Sequence, residues 1–169
     1  IDELLSRRWA KPLPANAAKG AALLPAKPLD AASFFNGRFL SPGLAKRGDG
    51  WAWHVPEWRE IPGSFRETFA GLKLLCGGRT GGGVSFEFEG RAVGAYVLAG
   101  PDAGVLEVSI DAGEYKPTNL YHHFSRGLHY PRTVMFATDL AAGRHSVRLR
   151  LAKPPGDGVK GTAARILQF

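Results

Sequence analysis

The sequence holds one cysteine, one methionine and no long apolar run. With Cys76 as its single thiol, the chain can close no internal disulfide, so it must build a core rather than a stapled scaffold. No stretch approaches the roughly eighteen apolar residues that a spanning helix needs. The signatures of a self-contained hydrolase are missing too. There is no Gly-x-Ser-x-Gly elbow and no Gly-Asp-Ser block, and Ser125, in Phe124-Ser-Arg-Gly127, carries neither. The glycine cluster Gly77-Gly-Arg-Thr-Gly-Gly-Gly83 lacks the Gly-Lys-Ser/Thr of a phosphate loop. It also leads into a strand rather than a helix N-terminus.

Acidic residues are scarce: 15 against 22 Lys and Arg, a net charge of +7. Such a balance suits a polyanionic partner, whether nucleic acid, acidic polysaccharide or a membrane surface. The basic residues are scattered, however, and no nucleic-acid module is recognisable, which disfavours nucleic acid. His122, His123 and His129 with Asp111 can be drawn as a metal set. Neighbouring histidines on an extended segment point to opposite faces, so the reading expects no metal, and no cofactor. His145 reads as a strand-end residue.

What is present is alternation. Val84-Ser-Phe-Glu-Phe-Glu89, Val105-Leu-Glu-Val-Ser-Ile110 and His145-Ser-Val-Arg-Leu-Arg-Leu151 each switch between apolar and polar, the pattern of a half-buried strand. Val84, Phe86 and Phe88 face inward in the first, Leu106, Val108 and Ile110 in the second, and Val147, Leu149 and Leu151 in the third. Turn chemistry separates them at Glu89-Gly90, Gly100-Pro-Asp102, Asp111-Ala-Gly113 and Ala142-Gly143. Further strand character is expected over Phe65 to Leu75, Val134 to Thr138 and Thr162 to Phe169, with Ala164 and Ile166 inward. Asn36-Gly37 is a hairpin-type turn signal. The expected fold is all-β, a jelly-roll-like sandwich of about eight to ten strands, since short strands at this spacing with some long connections fit that architecture.

The organisation expected along the chain has three parts. Residues 1–10 read as a short helix from the end of a preceding domain, with Leu4, Leu5 and Trp9 on one face. A helix that short is marginal without packing. Residues 11–33 read as a proline-rich linker, because Pro12, Pro14, Pro25 and Pro28 disfavour helix and central strand alike. Residues 34–169 form the sandwich, with a Pro/Gly loop from Lys153 to Gly161.

The aromatic residues offer the best binding chemistry. Trp51-Ala-Trp-His-Val-Pro-Glu-Trp58 holds three of the four tryptophans. The irregular segment beyond Asp111 adds Tyr121, His122, Tyr130 and Arg132. Flat rings stack on sugar rings, and neighbouring polar groups hold the hydroxyls. Trp51, Trp53, Trp58, Tyr121, His122, Tyr130 and Arg132 are therefore the candidate carbohydrate contacts. The competing reading is that the indoles fill the sandwich, each N–H finding a partner. No residue is a catalytic candidate.

Three longer runs carry a family resemblance: Val93 to Gly113, Phe124-Ser-Arg-Gly-Leu-His-Tyr-Pro-Arg-Thr133, and Asp139-Leu-Ala-Ala-Gly-Arg-His-Ser-Val-Arg-Leu149. Together they resemble the jelly-roll domain attached to bacterial GDSL-type (SGNH) esterases, including acetyl esterases acting on polysaccharides. The similarity covers roughly Phe34 to Phe169. It implies a non-catalytic accessory role, an upstream catalytic domain in the same protein, a polysaccharide partner and a secreted or periplasmic setting. The Ser-Asp-His machinery of that family would lie in the other domain. Asp139 to His145 has the wrong spacing for the family's Asp-x-x-His block. The alternative is a structural or oligomerisation sandwich with no ligand of its own.

Overall fold

The computed structural model describes residues 36–78, 82–153 and 161–169, together with 3, 6, 7, 10, 26 and 27. The chain divides into two units, Ile1–Asn36 and Gly37–Phe169. In the first, Glu3, Ser6 and Arg7 are helical. Arg7 Nη2 pairs with Glu3 Oε1 at 2.6 Å, and Ala10 N–H donates to Ser6 O at 2.9 Å. Leu4, Leu5 and Trp9, the four linker prolines and most of the loop between Lys153 and Gly161 lie outside the described residues.

The second unit is a sandwich of two five-stranded antiparallel sheets, the all-β jelly-roll class expected. The first sheet contains β1 (Lys46–Arg47), β4 (Gly83–Gly90), β9 (Gly143–Leu151), β6 (Val105–Ile110) and β7 (Lys116–Asn119), in that spatial order. The second contains β2 (Trp51–His54), β3 (Leu74–Gly77), β10 (Ala164–Gln168), β5 (Val93–Ala99) and β8 (Tyr130–Ala137). All three alternating runs are strands of the first sheet. β4 and β9 pair without a slip from Gly83↔Arg150 to Gly90↔Gly143. That register puts Val84, Val147, Leu149, Leu106 and Val108 into the core between the sheets, each at most 4% exposed. A shift of one residue would turn this whole set to solvent.

The second sheet is buried on both faces. Val93, Ala95, Val97 and Ala99 of β5 join the central core, while Leu98 enters a separate cluster with Trp58, Leu74 and Leu167 on the outer side. The cover is the segment between β2 and β3. Two short 3₁₀ turns, Trp58–Glu60 and Glu67–Phe69, fold it over the sheet, and Ile61, Phe65 and Phe69 pack against the cluster. Gly63, at φ +99°, makes the bend that a side chain would obstruct, because a Cβ there would lie 2.8 Å from the Pro101 ring. Ser64 then bridges to Leu128, with His129 N–H donating to Ser64 O at 2.8 Å.

This cover corrects the expected strand over Phe65 to Leu75, because strand begins only at Leu74. Phe65 and Phe69 serve the lid instead, and Phe65 stacks on Trp58 with ring centroids 4.8 Å apart. β8 starts earlier than expected, at Tyr130, and passes through Pro131. β7 likewise contains Pro117. Both are edge strands, where a proline's missing N–H removes no ladder hydrogen bond. His145 lies within β9, not at its end. Its Nδ1 donates to Asp111 Oδ2 at 2.6 Å and its Nε2 contacts Ala141 O at 2.8 Å. Asp111 Oδ1 accepts from Ser146 N–H, which fastens a turn in which Asp111 and Ala112 both hold positive φ.

Candidate functional site

The seven sequence-chosen residues separate into two groups. Trp51 and Trp58 are each 7% exposed, in the central core and under the lid respectively. Their indole N–H groups donate to Gly82 O and Ala70 O, both at 3.2 Å. Trp53 is half-buried and packs against the central core. The indoles therefore fill the sandwich, and the buried two present no open face to a ligand.

His122, Tyr130 and Arg132 come together where the chain crosses from β7 in one sheet to β8 in the other, while the half-buried Tyr121, like Trp53, packs against the central core. Arg132 Nη1 donates to Leu120 O and Tyr121 O, both at 3.3 Å, and so ties the crossing segment to β8. A 3₁₀ turn, His123–Arg126, follows. Ser125 Oγ accepts from His122 N–H at 3.2 Å, and His122 Nδ1 accepts from Phe124 N–H at 3.4 Å. Those two bonds place the rings. His122 lies parallel to Tyr130 with centroids 5.8 Å apart, and Phe124 sits 5.1 Å from Tyr130. The turn also brings the His122 and His123 rings within 4.0 Å, where an extended segment would have separated them.

Phe124 is the residue the sequence reading missed. At 54% exposure it is too open for core, yet it contacts three aromatic rings: His122, His123 and Tyr130. Its position within the quoted Phe124-Ser-Arg-Gly run was visible, but only the 3₁₀ turn reveals which way it faces. Partial burial pushes the His122 pKa below its ordinary value, aided by the positive charge of His123 and Arg132. Nδ1 is an acceptor here, so Nε2 carries the proton of the neutral ring. The surface thus combines stacked rings with an imidazole donor. It has no activated nucleophile, since Ser125 is fully buried and its hydroxyl is used as a cap.

A cleft of about 410 Å³ opens over the other side of the second sheet, lined by His54, Ile61, Cys76, Thr162, Asp102 and Arg165 among others. Arg165 donates to both Asp102 oxygens, Nη1 at 2.8 Å and Nη2 at 2.6 Å. Burial works against the Asp102 carboxylate, but the hydrogen bonds and charge of Arg165 outweigh it and hold its pKa below the usual value. Burial pushes the Cys76 thiol up to about 11, so it is not a nucleophile at neutral pH. Nearby, burial and Arg165 lower the pKa of His129, whose Nε2–H donates to Pro62 O at 3.0 Å. Among the described residues its Nδ1 has no hydrogen-bond partner. The pair at this floor is internally neutral. Asp102 and Arg165 escaped sequence reading because 63 residues separate them.

No protein-family model matches the chain, and no curated protein sequence does. Solved structures do resemble it. A two-domain esterase active on acetylated mannans, crystallised with mannopentaose, superposes with a TM-score of 0.53 at 13% identity, covering 77% of this chain and 34% of that one. A family 35 carbohydrate binding module from Clostridium thermocellum superposes with a TM-score of 0.51 at 12% identity, covering 78% of this chain and 95% of that one. An exo-β-1,3-galactanase from Phanerochaete chrysosporium gives 0.50 at 18% identity, covering 79% of this chain and 29% of that one. The chain thus spans about a third of the esterase and nearly all of the binding module. At these identities the likeness is one of fold: an all-β sandwich of the kind found in those proteins.

Proposed function

We propose that this chain is the non-catalytic jelly-roll accessory domain of a GDSL-type (SGNH) esterase, and that it binds polysaccharide at the β7–β8 crossing. The observation that carries the reading is the stacking of His122 on Tyr130 beside the exposed ring of Phe124, with Arg132 fastening the crossing to β8 through the Leu120 and Tyr121 carbonyls. Aromatic faces cover the C–H face of a sugar, while the His122 and Tyr130 polar atoms reach its hydroxyls. Its likeness to a carbohydrate binding module over 95% of that module's length supports the reading, as does its likeness to part of a mannan-active esterase. Placed beside an upstream catalytic domain of the same protein, the crossing would also shape one wall of the substrate cleft. A secreted or periplasmic setting follows from that partnership.

The test is affinity electrophoresis of the purified chain through gels containing mannan, β-1,3-galactan or other neutral polysaccharides. Retardation in at least one of them, weakened in Tyr130→Ala and Phe124→Ala with melting temperature unchanged, is the expected result. Unretarded migration in every gel would overturn the binding reading and leave a purely structural sandwich. The burial of Trp51 and Trp58 favours that second reading.

A further inference from the structure

A second surface, on the bare outer face of the first sheet, has a different chemistry. Lys46 of β1 lies opposite Ser85 of β4, and Ser85 lies opposite Arg148 of β9. Residues directly opposite one another on antiparallel strands share a face, so these three form one row. With strands about 4.8 Å apart, the row crosses roughly 10 Å of sheet. Arg47 and Tyr115 complete a groove of about 300 Å³ around it. Tyr115 is held in place by Arg150, whose guanidinium carbon lies 4.0 Å from the ring centroid. Arg150 is itself paired with Glu107 at 2.6 Å.

Among the described residues, no carboxylate lines this groove. Among the described residues, Lys46, Arg47 and Arg148 make no ion pair. Two acids of the same sheet are engaged, Glu107 by Arg150 at 2.6 Å and Glu87 by Arg144 at 4.0 Å, and Asp49, in the turn after β1, is outside the lining. Two like charges, Lys46 and Arg148, stand on one face of this concavity, and an anion relieves their repulsion. The lining also carries the Ser85 and Tyr115 hydroxyls, which match a ligand bearing hydroxyls beside its charge.

We propose that this groove binds a carboxylate-bearing polysaccharide, a chain of uronic acid residues, with Arg148 and Lys46 on the carboxylates and Ser85 and Tyr115 on sugar hydroxyls. A nucleic acid fits less well. The Arg150 guanidinium covers one face of Tyr115, and among the described residues no second ring lines the groove to stack bases. The Gly48 N–H, which could have helped cradle a phosphate, is already given to Gly83 O at 2.6 Å. The groove is built from residues of the first sheet and the Tyr115 turn. It shares none with the β7–β8 crossing, so the proposal holds whether or not that crossing binds neutral glycan.

The test is titration calorimetry of the intact chain with polygalacturonate, with its fully methyl-esterified form as the uncharged control and single-stranded DNA as the polyphosphate control. Binding to polygalacturonate should weaken as salt rises and be lost in the ester. It should fall about tenfold or more in Lys46→Ala/Arg148→Ala, by loss of charge-assisted hydrogen bonds. Both side chains are exposed, so the variant should melt with the parent. Tyr130→Ala should bind polygalacturonate as the parent does. Three results would each overturn the proposal: no binding to polygalacturonate, equal binding to its ester, or an unchanged affinity in the double variant. Tighter binding of DNA than of polygalacturonate, lost in the same variant, would reassign the groove to polyphosphate.

Discussion

The two sheets share one core but treat their outer faces differently. The first leaves its outer face to water, with Glu87, Glu89, Arg148 and Arg150 standing on β4 and β9. The second is roofed by the β2–β3 segment, which buries Trp58, Leu74, Leu98 and Leu167 in a satellite cluster. Water-facing strands must alternate, whereas strands covered on both sides need not. β5 accordingly reads Val-Gly-Ala-Tyr-Val-Leu-Ala, nearly all apolar, and β10 buries four of its five residues. The roofed face also carries the buried polar groups Arg165 and His129. The difference teaches that the same antiparallel pairing can yield a display surface or an internal layer, depending on what the connecting loop covers.

Stripping the roof should therefore have the largest effect on stability. Trp58→Ala removes a buried ring that touches Phe65 and His129, and should cost about 3–5 kcal/mol in urea unfolding. A loss below about 1 kcal/mol would mean that the lid is an appendage rather than a second core. Next comes the ion pair at the edge of that layer. Asp102→Asn leaves Arg165, with only 8% of its side chain exposed, short of its carboxylate. Breaking a buried pair costs about 3–5 kcal/mol, and the quarter-exposed Asp102 places this one toward the lower end. If Asp102→Asn melts with the parent, the pair is not a structural tie.

At the crossing, Phe124→Ala and Tyr130→Ala should weaken glycan binding by about 1–3 kcal/mol while Tm hardly moves, as for exposed stacking rings. A large fall in Tm with intact binding would transfer these rings to the core side of the comparison.

Two histidines should titrate in opposite directions, a contrast that NMR of their ring protons can read. His145 gains Asp111 and Ala141 as partners, so its folded pKa rises above 6.5. Its contribution to stability is complete below 6.5 and lost as pH rises through the raised value. Burial lowers the folded pKa of His129 below 6.5. In that case the unfolded state takes up protons first, and stability is lost as pH falls from 6.5 through the lowered value. Midpoints in the reverse order would break the assignment of His145 as a charged clasp and His129 as a neutral buried ring. The smallest effect belongs to the bare face. Arg148→Ala should change stability by less than about 0.5 kcal/mol, because an exposed charge with no ion-pair partner among the described residues has little to lose.

Legibility in the sequence followed the same division. β4, β6 and β9 could be read almost to the residue, because one face of each meets water and the alternation is a direct imprint of that. β5 was quoted within the family-like run Val93 to Gly113 but did not announce itself as a strand, since a chain buried on both faces carries no period. Phe65 and Phe69 looked like strand residues for a related reason. Apolar spacing does not say whether a ring joins a sheet or lies on top of one. At the candidate site, Tyr121, His122, Tyr130 and Arg132 were named from composition and irregularity. Which of the seven candidates share a surface was not readable.

The sequence by itself determined the all-β class, the inward set of the first sheet and the turns between strands, because these depend on neighbours one or two residues away. Tertiary structure alone decided the rest. Trp51 and Trp58 became core because other segments close over them. Phe124 became surface because a 3₁₀ turn lifts it out. Lys46 joined Arg148 because strands distant in the chain pair in register, and Asp102 met Arg165 because the turn after β5 bridges to the residues that lead into β10. Those juxtapositions rest on contacts between residues far apart in sequence, and local pattern carries no information about which distant segments will meet.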